Sequence, residues 1–190
     1  NIVTTLRQRI AKVDARDVTV VLEFYPGVNR HEIEDTIISQ LGADNMVYAD
    51  DYALPAEQVN AKIADSITDD RVLGRMTQYR MHEFFPNLDS DRAAIGAQHG
   101  LTVVYGTGAS LLAPQHDLLV YFDLTRWEVQ LRYRAGLSNW RQDNADEDAL
   151  RKFKRGYFFE WRIADRLKKQ LLPHVDYLVD SNVVHEPKMI

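Results

Sequence analysis

"VVLEFYPGVNRHEIEDTIISQL", residues 20–41, decides the fold. Its first part belongs to the run VTVVLEF (18–24), almost uninterrupted in apolar character, as in a strand covered on both faces. Its last part carries Ile33, Ile37, Ile38 and Leu41 at helical spacing and meets Gly42, a residue suited to ending a helix. A tight loop joins the two, at the place where a nucleotide-binding enzyme holds phosphate.

The rest of the chain repeats this alternation. Residues 4–13 read as a helix with Leu6, Ile10 and Val13 on one face. Strands are expected at 45–49, 101–105, 118–122 and 175–180. Helices are expected at 31–41, 55–66, 69–84, from Ser90 to about Gln98, from Thr125 to about Ala135, and over 146–172 with an interruption at Gly156. Alternating strands and helices imply βαβ units. The fold class is therefore α/β, a three-layer parallel sheet with helices on both faces, in one domain spanning 1–190. In such sheets ligands sit at the carboxyl ends of the strands, so the loops after Phe24, Ala49, Tyr105 and Phe122 should share one edge.

Composition bounds the chemistry. The 190 residues are 45% hydrophobic, enough for a sizeable core. A net charge of −5 argues against a dedicated nucleic-acid binder. There is no cysteine, which removes disulfides and thiolate metal sites and fits a cytoplasmic protein. No apolar run is long enough for a membrane helix, and no leader pattern opens the chain. The start without Met and the end at Glu186-Pro-Lys-Met-Ile190 are those expected of a piece of a longer chain.

Set against the phosphate-loop pattern GxxxxGK[ST], Phe24 to His31 depart at every defining position. Phe24 and Asn29 replace the glycines, Arg30 stands for the lysine, and His31 stands for the magnesium-binding hydroxyl. Asn tolerates left-handed backbone, Arg can bind phosphate in a fork, and the helix N-terminus favours an anion. Pro26 removes one donor. Gly27, Val28, Asn29, Arg30 and His31 can thus be read as an ordinary turn, a residual phosphate contact or a nucleotide site.

Asp50 and Asp51, after the second strand, could take a proton from a substrate hydroxyl, hold magnesium, or merely cap a turn. Gly106-Thr-Gly108 reads as a tight turn. Thr125 with Glu128 forms a capping box. Arg132 and Arg134 complement the end of that helix. With Arg141, Lys152, Lys154 and Arg155 they make a basic stretch that could close over a phosphorylated ligand. The six histidines show no metal-ligand spacing, so no metal site is read. Trp127, Trp140 and Trp161 could form a homodimer interface, or lie in the core.

The order of these segments resembles the uridine kinase branch of P-loop kinases. "VYADDYALP" resembles that family's substrate-contacting turn, "DLLVYFDLTRWEVQLRYRAG" its strand and Arg-rich helix leading to the lid, and "LLPHVDYLVDSN" its closing strand. This implies a P-loop kinase-like fold with a nucleotide or sugar phosphate as ligand, Asp50 and Asp51 at the substrate, Gly27–His31 at phosphate, and Arg132 and Arg134 in the lid. The third strand ends in Tyr105-Gly106 where these kinases place Glu-Gly. Losing that acid, the lysine and the magnesium hydroxyl together implies a degenerate site. "YPGVN", "VYFDLTRWEVQLRYRAGLSNW", "KRGYFFEWRIADR" and "DYLVDSN…EPKMI" further resemble the N-terminal region of bacterial class I mannose-6-phosphate isomerase-like proteins. That resemblance implies a following cupin-type isomerase domain as partner, with its zinc site outside this chain.

Overall fold

Burial on both faces makes Val18–Phe24 (β1) the centre of the sheet, with only Thr19 partly exposed. The computed structural model describes residues 1–190. In it β1 pairs in parallel with β3 (Leu101–Gly106) on one side and β4 (Leu118–Asp123) on the other. Outside these lie β2 (Asn45–Tyr48), next to β3, and β5 (Tyr177–Asp180), next to β4. A sixth strand, β6 (Lys188–Met189), completes the order β2-β3-β1-β4-β5-β6. β6 runs antiparallel, unlike the all-parallel expectation. The stretch 181–187 is too short for the crossover a parallel return would need.

The helices are α1 (Ile2–Ile10), α2 (30–41), α3 (Ala56–Ile67), α4 (Leu88–Gly96), α5 (Ala109–Leu112), α6 (Arg126–Arg134) and α7 (149–171). In α2 the middle turn, Glu34–Ile38, widens to π geometry, and Gly42 ends the helix with φ +74°. α7 does not break at Gly156; it widens there into a π turn, Gly156–Glu160. A β-carbon on Gly156 would fall 2.7 Å from the Trp161 ring, so glycine is what lets that indole pack. Thr125 caps α6 by accepting from the Glu128 amide at 3.2 Å. The reciprocal half of the box goes elsewhere: the Thr125 amide donates to Asn182 and the Glu128 carboxylate accepts from Arg132.

The helix expected over 69–84 is absent apart from a 3₁₀ turn at Met81–Phe84. Thr68 turns the chain at φ +55°, and Asp70 Oδ1 then accepts from the amides of Val72 and Leu73. Beyond this the backbone finds tertiary partners, Arg75 donating to Ser66 O and Thr77 to Phe158 O. Local side-chain acceptors of this kind compete with the helical ladder, and here they win. No helix is long and apolar enough to cross a membrane.

Candidate functional site

The connection from β1 leads toward β2, whereas that from β4 leads toward β5 on the opposite side. A crevice opens where connections diverge in this way. Here it is a cleft of about 590 Å³. Its walls are the loop 24–31, Tyr48 with Asp50 and Asp51, Gly106 and Thr107, and the connector 137–143. The structure therefore brings together the loop Gly27–His31 and both aspartates.

The loop is built by backbone geometry. Val28 N donates to Tyr25 O at 3.1 Å, and Gly27 takes φ +109°. A β-carbon at Gly27 would meet Val129 at 2.9 Å, so both conformation and space require glycine. Asn29 caps α2, its Oδ1 accepting from the Glu32 amide. The amides of Gly27, Asn29, Arg30 and His31 donate to no protein acceptor, and all four residues line the cleft. Free donors at the start of a helix are the ingredients of an anion site.

The side chains depart from phosphate-loop chemistry. Arg30 Nε donates to Glu34 Oε1 at 2.6 Å, and its guanidinium carbon lies 3.7 Å from the centre of the Tyr48 ring. The Tyr105 hydroxyl donates to the same Glu34 oxygen at 2.6 Å. Burial works to raise the Glu34 carboxyl, but Tyr105 and Arg30 carry it below its usual range. Burial and Glu34 together push Tyr105 up to about 12. His31 is exposed, and no three acidic or imidazole side chains converge to hold a metal ion. A magnesium ion held by a carboxylate and the ligand's own phosphates would draw on Asp50 or Asp51, since no hydroxyl side chain stands at position 31.

Asp50 is half-buried at the cleft and accepts from Trp140 Nε1 at 3.2 Å. Burial raises its carboxyl, against hydrogen bonds from Tyr48 and Trp140 and the charges of Arg141 and Arg30. Asp51 is exposed. Arg141 faces the cleft from the connector, held at Nε by Leu54 O at 2.9 Å, with φ +56°. A non-glycine residue there costs about 1 kcal/mol.

Arg132 and Arg134, expected in a lid, do not line the cleft. Arg132 is buried, donating to Glu128, to Gly27 O at 3.0 Å and to Ser181 O at 2.5 Å. It braces the loop from behind, because Val129 and Arg132 of α6 pack directly against Gly27. Arg134 is exposed over the Phe153 ring. Lys152, Lys154 and Arg155, expected to close over a ligand, are buried in the body of the protein. The three tryptophans form no shared surface: Trp140 and Trp161 are buried and only Trp127 is exposed.

Sequence reasoning missed Glu23. Its signal is a lone charge in an apolar strand. It lies fully buried beneath the cleft wall, its oxygens accepting from the amides of Gly108 at 2.6 Å and Ser110 at 2.8 Å. It fixes the start of α5 and with it the turn at Gly106–Thr107. Desolvation pushes its carboxyl up to about 7 against those two donors. Glu34 was also missed, although its i,i+4 spacing from Arg30 on one helix is a local signal, and so was Tyr48, which only the fold sets against Arg30.

Sheet order, crevice and loop position define an α/β fold of the P-loop kinase type. A solved structure described as a fructose transport system kinase from Silicibacter sp. TM1040 is similar, with TM-score 0.55 at 12% identity over 88% of this chain and 92% of that one. A shikimate kinase from Bacteroides thetaiotaomicron matches with TM-score 0.49 at 10% identity over 89% of each chain. The chain belongs to the family described as "Domain of unknown function (DUF8485)", whose model matches residues 1–190. No curated protein matches it in sequence.

Proposed function

We propose that this is a catalytically degenerate P-loop kinase-like domain that binds a phosphorylated small molecule, a sugar phosphate or a nucleotide, in the main cleft. The observation that carries the reading is the set of unpaired amides at Gly27, Asn29, Arg30 and His31, facing Asp50 and Arg141 across the cleft. Phosphate would sit on those amides and draw on Arg30, while Asp50 and Asp51 meet hydroxyl groups. Against phosphoryl transfer by the usual route stand Arg30, engaged by Glu34, and His31, which takes the place of the magnesium-binding hydroxyl. The link to a sugar-phosphate isomerase, which this domain would regulate, rests on the sequence resemblance alone.

Isothermal titration with hexose 6-phosphates and nucleoside phosphates tests the reading. Binding is expected, and Arg30→Ala should weaken it about tenfold, the loss of one charge-assisted contact. No heat with any of these ligands would overturn it. Asp50, half-buried at the cleft with a raised carboxyl, favours a second reading as a slow small-molecule kinase with Asp50 as base. ADP release that disappears in Asp50→Asn would establish that alternative.

A further inference from the structure

A second cavity, of about 200 Å³, lies between α3 and α7 beneath the connector. Arg151, Lys154 and Arg155 line it together with the amides of Asn60, Gln142 and Asn144, and Glu147 is its one acidic residue. Its lining is mainly basic. Arg155 pairs with Glu160 at 3.0 Å. Lys154, almost fully buried, donates to the backbone oxygens of Thr68 and Asp70 and to the Thr68 hydroxyl. Arg151 is exposed, and its charge acts on Asp70 and Asp148. Among the residues that line the cavity, three cations stand against the one carboxylate of Glu147.

The second observation is Arg155 itself. Its side chain is 9% exposed. Nε is taken by Glu160, and Nη1 by Asn60 Oδ1 at 2.7 Å. Nη2, at the same end of the guanidinium as Nη1, is buried and donates to nothing. Buried guanidinium donors ordinarily find acceptors. We infer that this cavity is an anion site for a tetrahedral oxyanion, either free phosphate or the phosphoryl group of a longer ligand. The anion accepts from Arg151 and from the unengaged Nη2 of Arg155. The site is separate from the main cleft and does not depend on what that cleft binds. The two share Gln142, which pairs with Asn60 through hydrogen bonds of 3.1 and 3.0 Å. An anion here therefore braces one wall of the main cleft.

The test titrates inorganic phosphate, in chloride buffer, into the intact chain and into Arg151→Ala, Arg151→Glu and Arg30→Ala. Calorimetry is read together with the side-chain amide NMR signals of Asn60 and Gln142. Arg151 is exposed, so both of its variants keep the fold. The expected result is phosphate binding that shifts those amides, persists in Arg30→Ala, weakens about tenfold in Arg151→Ala and vanishes in Arg151→Glu. If only a hexose 6-phosphate gives this Arg151-dependent response, the occupant is the phosphoryl group of a longer ligand and the site stands. Phosphate binding that ignores both Arg151 variants overturns the inference, and so does its complete absence with either probe. Loss in Arg30→Ala alone would do the same while leaving the main-cleft reading intact.

Discussion

Replacing Glu23 with glutamine should remove a pH dependence of stability that this one carboxyl creates. Glu23 is fully buried, and burial moves it from its ordinary value of 4.5 to about 7. The folded state therefore holds this proton more tightly than the unfolded chain does. Where the native state binds more protons, stability falls as pH rises. The contribution is fully present below about 4.5 and is lost as pH climbs through about 7. At about 1.4 kcal/mol per pH unit, the loss between pH 5 and pH 8 is roughly 2–3 kcal/mol. Glutamine cannot ionise, so Glu23→Gln loses this slope. It leaves one of the Gly108 and Ser110 amides facing an NH₂ group, a constant cost that shifts the offset and not the slope. Glu160, also raised by burial, slopes in the same direction in both proteins and cancels in the difference. Urea unfolding at pH 5, 6, 7 and 8 measures it. Wild type minus variant should decline steadily with pH, and a flat or rising difference would refute the account of Glu23 as a buried, protonatable clamp.

Three further outcomes follow from the same packing. Arg132→Ala removes donors to Glu128, Gly27 and Ser181 and should cost about 2–4 kcal/mol in chemical denaturation. Gly27→Ala should cost more than about 1 kcal/mol. Adding Val129→Ala would relieve the steric part but not the strain of φ +109°, so thermal unfolding of the pair should show incomplete recovery. Thr125→Ala should cost about 1 kcal/mol by uncapping α6, while Thr125→Ser should be nearly neutral in the same melt.

Much of the architecture could be read from residue order. The bounds of β1, the end of α2 at Gly42 and the Thr125 cap all depend on neighbours within a turn or two, and local periodicity carries that information. The helix expected over 69–84 failed for two reasons: Asp70 forms a local turn with Val72 and Leu73, a signal residue order does carry, and Arg75 and Thr77 donate to distant carbonyls, which no local pattern records. The same difference divides the candidate site. Gly27–His31, Asp50 and Asp51 were legible because each follows a strand, and strand ends meet at one edge of a parallel sheet.

The sequence by itself determined the five parallel strands and most of the helices, which loop stands in the phosphate position, and that this loop lacks the usual lysine and hydroxyl. Only the tertiary structure decided what the charged residues do. Arg132 braces Gly27 across 105 positions, and Arg155 reaches Asn60 across 95. A charge enters the interior only with partners, and partners so far apart in the chain are chosen by the fold. Of the basic residues that look like a lid when read in order, Arg132 is therefore a strut, Lys154 and Arg155 wall a buried cavity, and Arg141 lines the cleft with Arg30.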